Sequence, residues 1–322
     1  MKILLEKNMG YKELPDAELL HMLCAENLPS EVIWRSGKKW CIEIHGEKDP
    51  LDALKRLALW QRAFVLLARG SLEEIVSYAS GISVGSTFCV RVEHNHELER
   101  KIGGCIKGKV NLKKPDVLFY VFRVEGEFWM CKKIWEVPNR EFFMREPKNR
   151  PFFMPISIHP KIARAMVNLA GVKKGDVVLD PFCGTGGILI EAGLLGARVV
   201  GNDIEEKLVE GAKKNLEFYS IKDYEMFCGD VGEIPLKTGE VDAVVTDPPY
   251  GKSATTKKEN ITSLYERAFE KFSNLLQNGK KLVIVLPFVP DEKIRGFEIL
   301  EIHKIYVHRS LVRHVCLLER KK

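Results

Sequence analysis

At 322 residues, 45% hydrophobic and 29% charged, the chain has the composition of an ordinary globular protein and more length than one hydrophobic core usually serves. No run approaches the ~18 apolar residues of a membrane span, and the start Met1-Lys2-Ile3-Leu4-Leu5-Glu6-Lys7 reaches a charge too soon for a secretory signal. Eight scattered cysteines without a C-x-x-C pair exclude a zinc module or a secreted disulfide scaffold, so a cytoplasmic monomer without metal or membrane partner is expected.

Lys2 to Leu5 reads as a strand, Asp16 to Glu26 as an amphipathic helix, and Val32 to Trp34 and Lys39 to Ile44 as two more strands. Asp49-Pro50-Leu51 sets a capping Asp before a Pro at the first helical position, which predicts a helix through Ala53, Leu57 and Trp60. Residues 1–58 are expected to form a small ferredoxin-like α+β unit.

Ser71-Leu72-Glu73-Glu74 is a capping-box start for a helix to about Ala79. Thr87 to Val92 follows as a strand with Arg91 on one face. Leu98 to Gly108 predicts a helix from the spacing of Leu98, Ile102, Cys105 and Ile106, and Val110 to Val124 a strand, a turn and a strand. Arg100, Lys101, Lys107, Lys109, Lys113 and Lys114 bring six basic and no acidic residues between Arg100 and Pro115. From Arg100 to Arg150 there are 13 basic residues against six acidic, so this segment alone carries +7, while the whole chain carries +6. It is either a solvated basic face or a polyanion-binding one.

A strand, a glycine-interrupted basic helix and a strand with a Lys-Lys-Pro-Asp turn resemble the THUMP domain, an RNA-binding module of tRNA-modifying enzymes. The resemblance covers about Leu59 to Lys133 and sets a domain over 59–140. It implies that Arg91, Arg100, Lys101, Lys107, Lys109, Lys113 and Lys114 contact phosphates, which supply salt-dependent affinity without reading sequence. It also implies that the module engages the acceptor end of tRNA.

Residues 141–155 read as a linker ending in Arg150-Pro151-Phe152-Phe153. Phe152 and Phe153 either pack two domains together or offer one ring to an adenine or a target base, and the second reading is favoured slightly. From residue 156 a second domain begins. Asp176 to Asp180 is a short buried strand, and Gly184-Thr185-Gly186-Gly187 opens a helix from Ile188 to Leu195. Glycines let a ligand approach the backbone, and the helix start offers free N–H groups. The spacing is G-x-G-G, not the dinucleotide-binding G-x-G-x-x-G. Arg198 to Asp203 is the second strand, and Asp203 is placed to accept from ribose hydroxyls. Phe227-Cys228-Gly229-Asp230 ends the third, with Asp230 facing an adenine amino group, although an ordinary strand-end acid is the plainer reading there. The apolar run Val241-Asp242-Ala243-Val244-Val245 leads into Thr246-Asp247-Pro248-Pro249-Tyr250-Gly251. Two prolines hold that stretch extended without donors, Asp247 and the Pro248 carbonyl offer acceptors, and Tyr250 offers a ring face. These features suit a planar amine.

Asp180, Phe182, Gly184, Thr185, Gly186 and Gly187, then Asp203, Asp230 and Asp247-Pro248-Pro249-Tyr250, resemble the class I S-adenosylmethionine-dependent methyltransferases of amine and amide nitrogens. The resemblance covers about Pro155 to Glu319. It implies a Rossmann-like α/β domain over 156–322, behind an α+β THUMP-containing region. In that family the glycine turn cradles the methionine moiety, Asp203 takes the ribose, and Ile204 with Val231 clamps the adenine.

The loop Lys252 to Asn260 is a candidate flap, with a plain surface loop equally open. Ser263 to Leu276 is helical, and Lys281 to Leu286, Glu298 to Val307 and Val312 to Glu319 are the last strands. The turn His308-Arg309-Ser310-Leu311-Val312-Arg313-His314 brings Arg309 and Arg313 near the strand ends, where they could touch RNA. His308 and His314 lack partners at ligand spacing, so no metal is expected.

By motif order and length, the chain most resembles the archaeal tRNA (guanine-10 N2)-methyltransferases, which can dimethylate. The leading Asp247, the Arg-Pro-Phe segment and the His-Arg-Ser-Leu turn favour them over relatives acting on guanine 6. Two other amine methyltransferases would share the core, one acting on DNA and one on protein glutamine. A different class is an RNA-binding or chaperoning protein with an inactive cofactor pocket, against which intact Asp180, Gly184, Asp203 and Asp247 argue.

Overall fold

The computed structural model describes residues 1–8, 10–155, 157–249, 260–290, 294–308 and 311–321. It divides into two compact units, one of Met1–Asn8, Leu28–Lys55 and Trp60–Val137, the other of Met9–Asn27, Arg56–Leu59 and Pro138–Lys322.

In chain order the first part of the chain forms β1 (Lys2–Lys7), α1 (Leu14–Ala25), β2 (Ser30–Ser36), β3 (Lys39–Ile44), α2 (Leu51–Leu54), β4 (Trp60–Gly70) and α3 (Leu72–Ser80). There follow β5 (Ser83–Val92), α4 (His96–Cys105), β6 (Lys107–Val110), β7 (Val117–Val124) and β8 (Glu127–Glu136). All but α1 belong to the first unit, whose eight strands form one sheet in the order β2-β3-β1-β4-β8-β7-β5-β6. Helix α3 carries the expected capping box, with Ser71 and Glu74 each bonded to the other's backbone N–H. Ile75, Phe88, Ile102 and Val121 pack α3 and α4 against the sheet.

Three local expectations change. The helix opened by Asp49, which accepts from Leu51 N at 2.9 Å, stops at Leu54, and Trp60 starts a strand. The donors of Ala58 and Leu59 go to the Glu18 carboxylate at 2.8 and 2.9 Å, so they cannot continue a helical ladder. Lys107 lies in β6, paired parallel to β5, and not on the preceding helix. The helix expected over Asp16 to Glu26 forms as α1, but its contacts belong to the second unit.

The second unit adds α5 (Asn139–Met144), α6 (Pro160–Leu169), β9 (Val177–Asp180), α7 (Gly187–Leu194), β10 (Arg198–Asp203), α8 (Glu206–Phe218) and β11 (Tyr224–Cys228). β12 (Ala243–Thr246), α9 (Ile261–Leu275), β13 (Lys281–Leu286), β14 (Phe297–His308) and β15 (Leu311–Arg320) complete it. The sheet order is β11-β10-β9-β12-β13-β15-β14, the first five parallel and β15 antiparallel to both its neighbours. Its strands bury both faces: Ala163, Met166, Leu189 and Val245 on one side, Leu179, Val244, Phe272 and Leu282 on the other.

Strand order reverses between β9 and β12, which run side by side although α7, β10, α8 and β11 lie between them in the chain. In open α/β sheets the crevice beyond the carboxyl ends at such a reversal is where ligands bind. Asp180 ends β9 and Asp247 follows β12, so the two acids read from sequence meet at this point.

Candidate active site

The loop after β9 is set by two glycines with positive φ, Gly184 at +50° and Gly186 at +79°, a region that side chains rarely adopt. A Cβ on Gly184 would have no heavy atom within 4 Å, so open space lies in front of this turn. Asp203, at the end of β10, accepts from Gly184 N at 2.9 Å and from Glu205 N at 3.0 Å. It fixes the turn as well as bordering it. The buried Asn202 beside it donates to the carbonyls of Pro181 (3.2 Å) and Gly229 (3.1 Å), tying the ends of three strands together.

Asp180 is buried, accepting from Thr246 Oγ1 at 2.7 Å and Phe182 N at 3.3 Å. Burial, with the charges of Asp247 and Asp203 adding to it, pushes this carboxyl up to about 7 against those two donors. The Asp247 side chain is 17% exposed and lies against Arg313, Oδ2 to Nη1 being 3.5 Å. Burial lifts Asp247 to about 6, with Arg313 opposing. Its Oδ1 is buried and takes no hydrogen bond from any described residue. No described donor reaches the Pro248 carbonyl either, whereas Pro249's carbonyl accepts from the Tyr265 hydroxyl of α9 at 3.1 Å. Tyr250, the loop over 251–259 and Arg309 lie outside the described residues.

Several sequence-selected residues take other places. Arg313, expected on RNA, faces Asp247. Asp230, expected to face adenine, binds Arg267 with both oxygens, Nη2 to Oδ2 at 3.2 Å, and caps Gly232 N at 2.8 Å. Val231 is buried in the core, and Phe182 packs on the same cluster. Ile204 is half-buried beside Asp203. Thr185 turns inward, its hydroxyl 3.1 Å from Ser157 Oγ and 3.4 Å from Arg150 Nη1.

Phe152 packs down on α8, where a Cβ on Gly211 would stand 2.1 Å from its ring, and Asn215 brackets its backbone N–H and carbonyl at 2.9 and 3.0 Å. That ring is a packing element, while Phe153 is exposed. The segment read as a linker is anchored. Arg145 and Arg164 sandwich the buried Glu191, at 2.7 and 2.8 Å, and Arg150 donates to the Arg145 carbonyl at 2.9 Å. Two of the 13 basic residues counted from Arg100 to Arg150 are therefore spent inside the fold.

In the first unit, Arg100, Lys101, Lys107, Lys109, Lys113 and Lys114 are all exposed. Asn111 Oδ1 accepts from the N–H groups of Lys113 and Lys114, both at 3.1 Å, which presents the two lysines on a fixed turn. Arg91 differs: it is half-buried, pairs with Glu99 at 3.5 Å and donates to the Leu112 carbonyl at 2.9 Å.

A seven-stranded sheet with this order, a glycine turn after its first strand, an acid at the end of the second and Asp-Pro-Pro after the fourth define a class I methyltransferase, which uses S-adenosylmethionine. The family model for the RMKL-like methyltransferase domain matches residues 147–313. The tRNA (guanine(10)-N2)-dimethyltransferase of Methanothermobacter thermautotrophicus is 37% identical, over 99% of this chain and 100% of that protein. The Pyrococcus abyssi protein of the same name is 38% identical, over 86% of this chain and 88% of its own. TrmN from Thermus thermophilus shares the fold along the whole of both chains, with a TM-score of 0.56 at 22% identity. The chain belongs to the tRNA (guanine(10)-N2)-dimethyltransferase family.

Proposed function

We propose that this protein transfers methyl groups from S-adenosylmethionine to the exocyclic N2 of guanosine 10 in tRNA, and does so twice. The observation that carries the chemistry is the buried Oδ1 of Asp247, which, like the carbonyl of the next residue Pro248, takes no hydrogen bond from any described residue. Two acceptors that take no hydrogen bond from any described residue, on a segment whose two prolines have no N–H groups, form a site for an N–H2 group.

The residues suit the cofactor. The space before Gly184 and the positive-φ turn admit a methionine-like chain, and Asp203 at the end of β10 keeps lone pairs for ribose hydroxyls. When bound, S-adenosylmethionine supplies an electrophilic methyl on a sulfonium. Guanine's amine is a weak nucleophile because its lone pair is delocalised into the ring. Asp247 Oδ1 and the Pro248 carbonyl accept its two N–H bonds and turn that lone pair out of conjugation toward the methyl. Methyl transfer would leave the bonding electron pair on the cofactor's sulfur, and Asp247 would take the proton that the methylated amine releases. One N–H remains after the first transfer, enough for one acceptor to align the amine again. Tyr250, two residues beyond Pro248 in sequence, is assigned to the base, which must leave its stack to be reached.

The exposed Arg100, Lys101, Lys107, Lys109, Lys113 and Lys114, with Val110 and Leu112 exposed among them, form a THUMP-type surface for tRNA phosphates and sugars. Asp247→Ala tests the assignment. Single-turnover methyl transfer is expected to fall by ~10³-fold or more, with tRNA and S-adenosylmethionine bound as by wild type. Transfer within tenfold of wild type would remove Asp247 from the chemistry.

A further inference from the structure

Arg313 was expected to touch RNA, and the structure gives it other work. Its side chain is 19% exposed and reaches Asp247 Oδ2 from β15, 3.5 Å away, while Oδ1 of the same carboxylate has no described partner. One oxygen is held and the other is open.

We propose that Arg313 is a positioning residue for Asp247: by holding Oδ2 it fixes the rotation of the carboxylate so that Oδ1 faces the guanine amine. This rests on the methyltransferase reading of the same site. A carboxylate on a short side chain rotates freely unless one oxygen is tied, and a rotated Asp247 would present neither lone pair along the N–H bond. A partner carrying its own acceptor would compete with the amine. A guanidinium has none, so it orients the carboxylate and leaves its accepting capacity intact.

The same contact bears on protonation. From β9 comes the Asp180 carboxyl, bonded to Thr246 and itself pushed up to about 7. From α9 come Tyr265, bonded to the Pro249 carbonyl, and Arg267, held by Asp230. His314 is turned to the other face of the sheet by strand alternation. Burial favours the neutral acid, and Arg313 opposes it. Without Arg313, Asp247 would stay protonated to higher pH, where it can neither accept the amine's N–H nor take its proton.

The test is the pH dependence of single-turnover methyl transfer to full-length tRNA by wild type, Arg313→Gln and Arg313→Lys, with tRNA affinity measured beside it. The acid limb of Arg313→Gln is expected to move up by on the order of one pH unit. Its rate at neutral pH should fall ~10-fold or more and recover partly at alkaline pH, and Arg313→Lys should lie between it and wild type. The tRNA Kd should stay within threefold. An acid limb that stays in place overturns the role. If Kd also rises tenfold, Arg313 belongs to the RNA backbone instead. Carboxyl-carbon NMR of the full chain, with the Asp247 signal assigned by its loss in Asp247→Ala, gives a second readout that needs no activity. A raised titration midpoint in Arg313→Gln supports the role even if the wild type fails on guanosine 10, and an unchanged midpoint overturns it.

Discussion

The Tyr265 hydroxyl donates to the carbonyl of Pro249 at 3.1 Å, and so ties α9 to the loop that carries Asp247. The loop cannot anchor itself through N–H groups at Pro248 and Pro249, so its carbonyls are the handles left. With Pro249 held, the neighbouring carbonyl of Pro248 keeps a fixed direction. Tyr265→Phe is expected to lower the single-turnover rate ~5–10-fold, the worth of about one hydrogen bond, and to leave tRNA affinity within threefold. Stopped-time methyl transfer with enzyme in excess measures it.

The two positive-φ glycines of the cofactor turn separate affinity from stability. A Cβ on Gly184 would enter open space before the turn, whereas one on Gly186 would stand 3.3 Å from the Ala212 Cβ. Both substitutions carry about 1–2 kcal/mol of backbone strain. Gly184→Ala is expected to weaken S-adenosylmethionine binding ~10-fold or more with a modest drop in Tm. Gly186→Ala should show the larger drop in Tm. Calorimetric titration and thermal unfolding of both variants check the contrast.

Glu6 gives the first unit a pH-dependent clamp. Its buried carboxylate pairs with Lys38 at 2.8 Å and with Arg62 Nε at 2.8 Å. Burial pushes its carboxyl up, but the two cations outweigh burial and hold it below its ordinary 4.5. A depressed folded pKa stabilises above the unfolded value, and the effect is lost as pH falls through the folded value. Glu6→Gln should therefore cost ~1–3 kcal/mol at pH 7, toward the low end because Lys38 is half exposed. The difference from wild type should shrink as pH drops below 4.5, as urea unfolding across pH can follow.

Lys113 and Lys114 are exposed on a turn fixed by Asn111. Lys113→Ala with Lys114→Ala is expected to weaken tRNA binding and to flatten the plot of log affinity against log salt by about 0.9 per lost phosphate contact. Rates at saturating tRNA should not change. An unchanged salt slope would take these lysines off the RNA.

Sequence made β9, β10 and β12 legible because each is a short, largely apolar run that ends in or leads into a chemically distinctive acid. Asp180, Asp203 and Asp247 land at the carboxyl edge of one sheet as expected. What sequence did not show is pairing between distant segments. Arg313 meets Asp247 across 66 residues, and Arg267 meets Asp230 across 37, and neither spacing carries a periodic signal. Glu18 is the clearest case. It looks like one polar position of an amphipathic helix, yet it is buried and accepts from Ala58 N, Leu59 N and Asn168 Nδ2. Those bonds take α1 and Arg56–Leu59 into the second unit, so a boundary drawn at residue 58 from local pattern differs from the compact units. Phe152 was likewise ambiguous until Gly211, the small residue that receives its ring, was placed beneath it.

The most direct test is incubation of the full chain with S-adenosylmethionine and an unmodified tRNA transcript, followed by nucleoside mass analysis and mapping of the methylated position. N2-methylguanosine converting to N2,N2-dimethylguanosine at position 10 is expected, with no product from a transcript carrying inosine there, which lacks the amine. Methyl groups at another position, or transfer to the inosine transcript at an undiminished rate, would contradict guanosine 10 as the target.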